Sequence, residues 1–127
     1  MKVLVADDEL PIRMLMEQTL EDIEGIDLLF ASNGEEALHA ISEENPEIVF
    51  LDVMMPEFDG YEVLEIIHTH KEYDNMRVIL LTAKGSEMDI RRAEMYNIDL
   101  YITKPFDPDF ILDKTTKIIQ EIKRDNQ

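Results

Sequence analysis

Apolar positions along this chain follow two kinds of pattern. Four runs are short, continuous and rich in branched side chains: Val3-Leu4-Val5, Ile48-Val49-Phe50-Leu51, Val78-Ile79-Leu80-Leu81 and Leu100-Tyr101-Ile102. Continuous rather than alternating apolarity is the signature of strands buried on both faces. A weaker fifth run covers residues 26–31. Between the runs the period lengthens. Ile12, Leu15, Met16, Thr19, Leu20 and Ile23 form one helical stripe, and Ile111, Thr115, Ile118 and Ile122 form another. Shorter stripes are Ala37-Leu38-Ala40-Ile41 and Val63-Leu64-Ile66-Ile67.

Helix starts are marked by polar residues at fixed offsets. Ser32 with Glu35, and Asp59 with Glu62, have capping-box spacing. Asp107-Pro108 reads as an N-cap followed by proline at the first helical position, where its missing N–H costs nothing. Pro11 opens the first helix in the same way. Ser86 and Asp89 mark the start of a fourth helix and Asn97 its end. The order is therefore strand–helix repeated five times. Right-handed crossovers then place helices on both faces of a parallel sheet, an α/β doubly wound architecture expected to fill residues 1–127 as one domain. The strand order expected for such a sheet is 2-1-3-4-5. The polar end, residues 123–127, reads as a fraying helix end or the stub of a linker.

Composition narrows the classes of function. The chain has 29 acidic and 12 basic residues, a formal charge of −17. Such a surface repels nucleic-acid phosphate, so no direct nucleic-acid partner is expected. There is no cysteine, which removes disulfides and thiolate metal sites. No apolar run reaches the roughly 18 residues needed to cross a bilayer. Asp7 and Asp8 interrupt the N-terminal apolar run before a signal-peptide core could form. The expectation is a cytoplasmic protein without a membrane partner.

The polar residues at strand ends carry the chemistry. In open α/β sheets, ligands bind outside the carboxyl ends of the strands, near the point where strand order reverses. Strand 1 ends in Asp7-Asp8, strand 3 in Asp52, strand 4 in Thr82, and strand 5 runs into Lys104-Pro105. In the order 2-1-3-4-5 the three aspartates converge. Three carboxylates at close quarters do not all stay ionised unaided. A hard cation relieves the repulsion, and an all-oxygen donor set suits Mg²⁺, with Mn²⁺ as the alternative. Thr82, Lys104 and loop amides after Asp52 are placed to receive an incoming phosphoryl group. That is the layout phosphoryl transfer requires, with Asp52 as nucleophile and an acyl phosphate as product.

At these residues the sequence resembles the receiver domain of bacterial two-component response regulators. The resemblance rests on Asp7-Asp8, on Asp52 followed by Met55-Pro56 and Asp59-Gly60, on Thr82-Ala83, and on Tyr101 three residues before Lys104-Pro105-Phe106. It covers essentially the whole chain and implies a flavodoxin-like fold. It implies that Asp52 is the phosphoacceptor, supplied by a sensor histidine kinase or a histidine phosphotransfer protein. Asp8, Asp52 and the Met54 backbone carbonyl would bind Mg²⁺ directly, with Asp7 acting through water. Thr82 and Lys104 would contact the phosphoryl oxygens, Tyr101 would be the switch aromatic, and the Lys104–Pro105 peptide would be cis. Such a domain catalyses its own phosphorylation and dephosphorylation without being a multiple-turnover enzyme on an external substrate. Its downstream protein partner would meet helix 4, strand 5 and helix 5. Lys114 stands where the dimer-forming transcription-factor branch often carries Arg, so a monomer or a weak phosphorylation-promoted dimer is expected. No output domain is visible after helix 5, which leaves a free-standing regulator, a phosphorelay shuttle or a fragment of a longer protein as the alternatives.

Two departures from the family pattern stand out. Residues 96–100, Tyr-Asn-Ile-Asp-Leu, replace a Gly-Ala-Asp-Asp type stretch, and Asn97 is expected to take the left-handed conformation that ends a helix. Met54 and Lys84 occupy the variable positions that tune phosphoryl lifetime. Taken singly, the motif residues have plainer readings: Asp7-Asp8 a solvated turn, Thr82 a strand-end cap, Lys104 a surface lysine, Tyr101 a half-buried strand tyrosine. His68 and His70 lie at i and i+2, point to different sides of a helix, and read with His39 as exposed. Met88, Ile90 and Met95 read as core packing of helix 4, with a partner face as the alternative. An aspartate-nucleophile phosphatase of the haloacid-dehalogenase type needs a second acid where Met54 stands. A flavodoxin needs a Ser/Thr/Gly-rich loop where Asp7-Asp8-Glu9 stands. A phosphorylation-independent scaffold has no need of the full set of site residues.

Overall fold

Ala6 of the first strand lies in register with Leu51 of the third, so the next residues along, Asp7 and Asp52, leave the sheet side by side. The computed structural model describes residues 1–56, 58–83 and 87–126, without the side chains of residues 87–90. Five parallel strands run in the order β2-β1-β3-β4-β5: β1 (Lys2–Ala6), β2 (Asp27–Ala31), β3 (Ile48–Asp52), β4 (Arg77–Ala83) and β5 (Leu100–Lys104). Five helices alternate with them: α1 (Leu10–Leu20), α2 (Gly34–Glu44), α3 (Gly60–His68), α4 (Glu87–Glu94) and α5 (Pro108–Asp125). This is the expected doubly wound fold with the expected strand order.

Continuous apolarity in the strands matches the two cores they separate. Val3, Val5, Ile48, Phe50, Ile79 and Leu81 face Met16 and Leu20 of α1 and Ile111, Ile118 and Ile119 of α5. Their alternates, Leu4, Ala6, Val49, Leu51, Val78 and Leu80, face α2, α3 and Ala93 of α4. Burying each large aliphatic side chain contributes roughly 1.5–3 kcal/mol, so β1, β3 and β4 are held from both sides. Site residues at their ends therefore project from strands covered on both faces.

The helix starts refine the reading of the capping residues. Asp59 accepts from the Glu62 amide at 2.9 Å, as its spacing predicts. Asp107 accepts from the Asp109 amide at 2.9 Å, with Pro108 opening α5. For α2 the cap is displaced by one residue. Asn33, not Ser32, is the N-cap and accepts from the Glu36 amide, while the Glu36 carboxylate accepts from the Ser32 amide and hydroxyl. Asparagine competes as well as serine for an N-cap, and here Gly34 takes the first helical position against the loop that carries Phe58.

Three further expectations change at helix ends. The first helix stops at Leu20, and Ile23 joins the core from the turn that follows, its amide donating to the Leu20 carbonyl. Asn97 does not take the left-handed conformation. Among the described non-glycine residues Asn45 alone does, at the end of α2, with φ 51°. α4 ends instead at Glu94, and amides of Met95 and Tyr96 close tight turns onto Arg92 and Ala93. A single 3₁₀ turn, Lys71–Tyr73, joins α3 to β4 without a matching signal in the apolar pattern. Ser86 and Lys84 lie outside the described residues, as do the side chains of Met88, Asp89 and Ile90. Met95 is exposed, so it does not join the core.

Candidate functional site

Each site residue stands where a strand hands over to a loop. Asp7 continues the β1 line, its amide bonded to the Ala31 carbonyl at 3.0 Å. Asp52 is the last residue of β3 and lies opposite Leu81 in β4, one residue before Thr82. Thr82 pairs with Thr103 in β5, one residue before Lys104. Asp7, Asp52 and Thr82 are almost wholly buried, whereas Asp8 is exposed.

One carboxylate oxygen from each of Asp7, Asp8 and Asp52 lies within 4.8 Å of the others. The Lys104 ammonium reaches into the same group, 2.7 Å from Asp7 Oδ2 and 3.4 Å from Asp52 Oδ2. Asp52 Oδ1 accepts from the Met54 amide at 3.1 Å, and Asp7 Oδ1 from the Glu9 amide at 2.9 Å. Asp7 Oδ2 is buried and has the Lys104 ammonium beside it. Three convergent carboxylates beside one ammonium are an oxygen donor set that fits a hard divalent cation.

Electrostatics point the same way. Burial first, and the Asp7 charge second, push the Asp52 carboxyl up to about 7, against the opposing pull of Lys104 and the Met54 amide. For Lys104, burial alone would favour the neutral form. Asp7, Glu9 and Asp52 outweigh it and hold the ammonium above the ordinary lysine value. A charged lysine beside a carboxyl whose ionisation is disfavoured is a site short of positive charge.

The remaining residues named from the sequence lie around this centre. The Thr82 hydroxyl donates to the Ala83 carbonyl at 3.1 Å. The Tyr101 ring is half-buried on β5, with its hydroxyl buried and lacking a hydrogen-bond partner among the described residues. The Met54 side chain is 69 % exposed beside Asp52. The Lys104–Pro105 peptide is cis. His39, His68 and His70 are exposed.

Two contacts escaped the sequence reading. Glu9 Oε2 lies 3.0 Å from the Lys104 ammonium, and the Arg13 guanidinium donates to the Asp7 carbonyl at 2.6 Å. The available signal for Glu9 was its place directly after Asp7-Asp8; nothing in the pattern linked it to a lysine 95 residues away.

Fold and site together define a doubly wound domain with an acidic, lysine-paired centre at the point where strand order reverses. Comparison with known proteins identifies the class. Residues 3–116 match the response regulator receiver domain. The chain is 35% identical over 112 residues to Protein PilG of Pseudomonas aeruginosa, covering 88% of this chain and 82% of PilG. It is 45% identical over 107 residues to the probable transcriptional regulator ycf27 of Pyropia yezoensis, covering 84% of this chain but only 42% of that protein. Among solved structures it is similar to a CheY-like response regulator receiver domain protein from Methanospirillum hungatei, with TM-score 0.87, 27% identity, and 98% and 97% of the two chains covered. It is also similar to the DrrB receiver domain in its BeF3-activated form, with TM-score 0.79, 29% identity, and 94% and 97% covered. The chain belongs to the receiver domains of two-component response regulators, which are phosphorylation-dependent switches. Receiver domains work with histidine kinases or histidine phosphotransfer proteins.

Proposed function

We propose that Asp52 accepts a phosphoryl group from the phosphohistidine of a sensor histidine kinase or a histidine phosphotransfer protein, with Mg²⁺ held by Asp7, Asp8 and Asp52. The observation that carries this reading is the convergence of those three carboxylates with Lys104 at the ends of β1, β3 and β5. Attack by an Asp52 carboxylate oxygen forms the O–P bond of an acyl phosphate. The P–N bond of the donor breaks, and its electron pair stays on the departing imidazole. When bound, Mg²⁺ supplies positive charge against the phosphoryl oxygens.

The chain's own residues do the rest. Asp7 and Asp8 shape the acidic pocket, and the Met54 carbonyl is the third direct ligand implied by the family pattern; Mn²⁺ fits the same oxygen set. The Lys104 ammonium neutralises charge gained at Asp52. The Thr82 hydroxyl, now spent on the neighbouring Ala83 carbonyl, turns to a phosphoryl oxygen. Tyr101, whose hydroxyl has no hydrogen-bond partner among the described residues, follows it. That rearrangement alters the face formed by α4, β5 and α5, where a downstream protein binds. The domain acts as one unit over residues 1–127, in the cytoplasm, as a monomer or weak phosphorylation-promoted dimer. It turns over its own phosphoryl group rather than an external substrate.

Intact mass after incubation with Mg²⁺ and acetyl phosphate tests the assignment. Addition of one phosphoryl group to the parent, absent with EDTA and absent in Asp52→Asn, is the expected result. Labelling of Asp52→Asn to the parent's level overturns it.

A further inference from the structure

The Lys104 ammonium has three N–H donors, and three carboxylates compete for them. It lies 2.7 Å from Asp7, 3.0 Å from Glu9 and 3.4 Å from Asp52. A phosphoryl group on Asp52 takes over the long 3.4 Å contact, and drawing the ammonium closer to that group loosens its hold on Asp7 or Glu9. Asp7 is badly placed to yield. Its side chain is fully buried, and among the described residues no other donor reaches the Oδ2 atom facing Lys104. The Glu9 side chain is 57% exposed and regains water when it lets go.

The position of Glu9 strengthens the point. It is the N-cap residue of α1, yet its side chain makes no capping hydrogen bond. The carboxylate is turned away from the helix amides and laid against Lys104, the opposite of what an acidic residue at a helix N-terminus does by default. Its backbone meanwhile is fixed, the amide on Asp7 Oδ1 and the carbonyl accepting from the amides of Ile12 and Arg13. Its side chain can therefore leave Lys104 without disturbing the acidic centre.

We propose that Glu9 is a positioning residue: it holds Lys104 in the unphosphorylated arrangement and competes with the phosphoryl group for the ammonium. The proposal rests on the reading of Asp52 as phosphoacceptor. Glu9 sets how readily the phosphorylated state forms by acting through Lys104, and it touches neither the phosphoryl group nor the attacking oxygen.

A double-mutant cycle read by beryllofluoride affinity separates the two levels. With Mg²⁺ present, binding is followed by the amide NMR shifts of Thr82 and Ala83 in the parent, E9Q, K104Q and E9Q/K104Q, titrated far enough to measure weak binding. E9Q is expected to bind about fivefold more tightly than the parent, the scale of one partly exposed ion pair. In the K104Q background the same substitution is expected to change nothing, because the ammonium it acts through is gone. Equal affinity of E9Q and parent overturns the proposal. So does an equal gain in both backgrounds, which is the mark of a general loss of negative charge. A parent that binds no beryllofluoride overturns the phosphoacceptor reading itself, and this proposal falls with it.

Discussion

The backbone of Gly60, the first residue of α3, lies so close to the Asp52 carbonyl that a β-carbon there would overlap that oxygen and come within 2.9 Å of the Val53 α-carbon. The Gly60 amide also donates to the Val53 carbonyl at 3.0 Å. The loop after Asp52 is thus folded back onto the strand that precedes it. Gly60→Ala must push α3 or the Asp52 backbone outward. Overpacking of this kind costs about 1–3 kcal/mol, so the urea midpoint should fall by the equivalent amount, and Mg²⁺ affinity should fall with it. Unchanged stability would show that the loop relaxes freely.

Metal-free stability should depend on pH through Asp52. Its carboxyl lies at about 7 in the folded chain against 3.8 ordinarily. A raised acid favours folding where it is protonated, below its ordinary value, and that benefit is lost as pH rises through 7. In EDTA, Asp52→Asn should therefore gain stability relative to the parent by roughly 2 kcal/mol between about pH 5.5 and about pH 8. Urea unfolding at the two ends of that range checks the slope, which a pH-independent effect of the amide does not alter.

Metal binding should stabilise the fold by linkage. At about 100 times its dissociation constant a ligand adds about 2.7 kcal/mol, a rise of several degrees in Tm for a chain of this size. Asp8 is exposed, so Asp8→Asn should fold normally yet lose most of the Mg²⁺-dependent rise in calorimetry. An undiminished rise in that variant would remove Asp8 from the ligand set.

Tyr101 offers a test of the switch in its resting form. A buried hydroxyl without a partner carries a desolvation cost of about 1–3 kcal/mol. Tyr101→Phe should leave the unphosphorylated domain as stable as the parent or up to about 1 kcal/mol more stable by urea unfolding. A clear loss would mean the hydroxyl finds a partner in solution.

The strand ends were legible because parallel strands buried on both faces announce themselves as unbroken apolar runs, and because acids directly after such runs have no packing role. Asp7, Asp52, Thr82 and Lys104 were found that way. Local competition between equivalent caps was not legible: Ser32 and Asn33 are both good N-caps, and the helix begins at Gly34, which sits against Phe58 from a distant segment. Asn97 failed for the opposite reason. Its preference for the left-handed conformation is real but small, and α4 had already ended at Glu94. Glu9 read as one more surface acid, since charge alone does not reveal a partner on the far edge of the sheet. The same holds for the Arg92 guanidinium stacked 4.1 Å over the Tyr61 ring, which ties α4 to α3.

The register that sets Asp7 beside Asp52 has a consequence for the chain as it is made. Asp7, Asp8 and Asp52 precede Lys104 along the chain, and Lys104 belongs to β5, one edge of the sheet. A truncated or half-finished polypeptide holds the acids without the ammonium that balances them. The acidic centre therefore gains its balancing charge only when β5 docks beside β4.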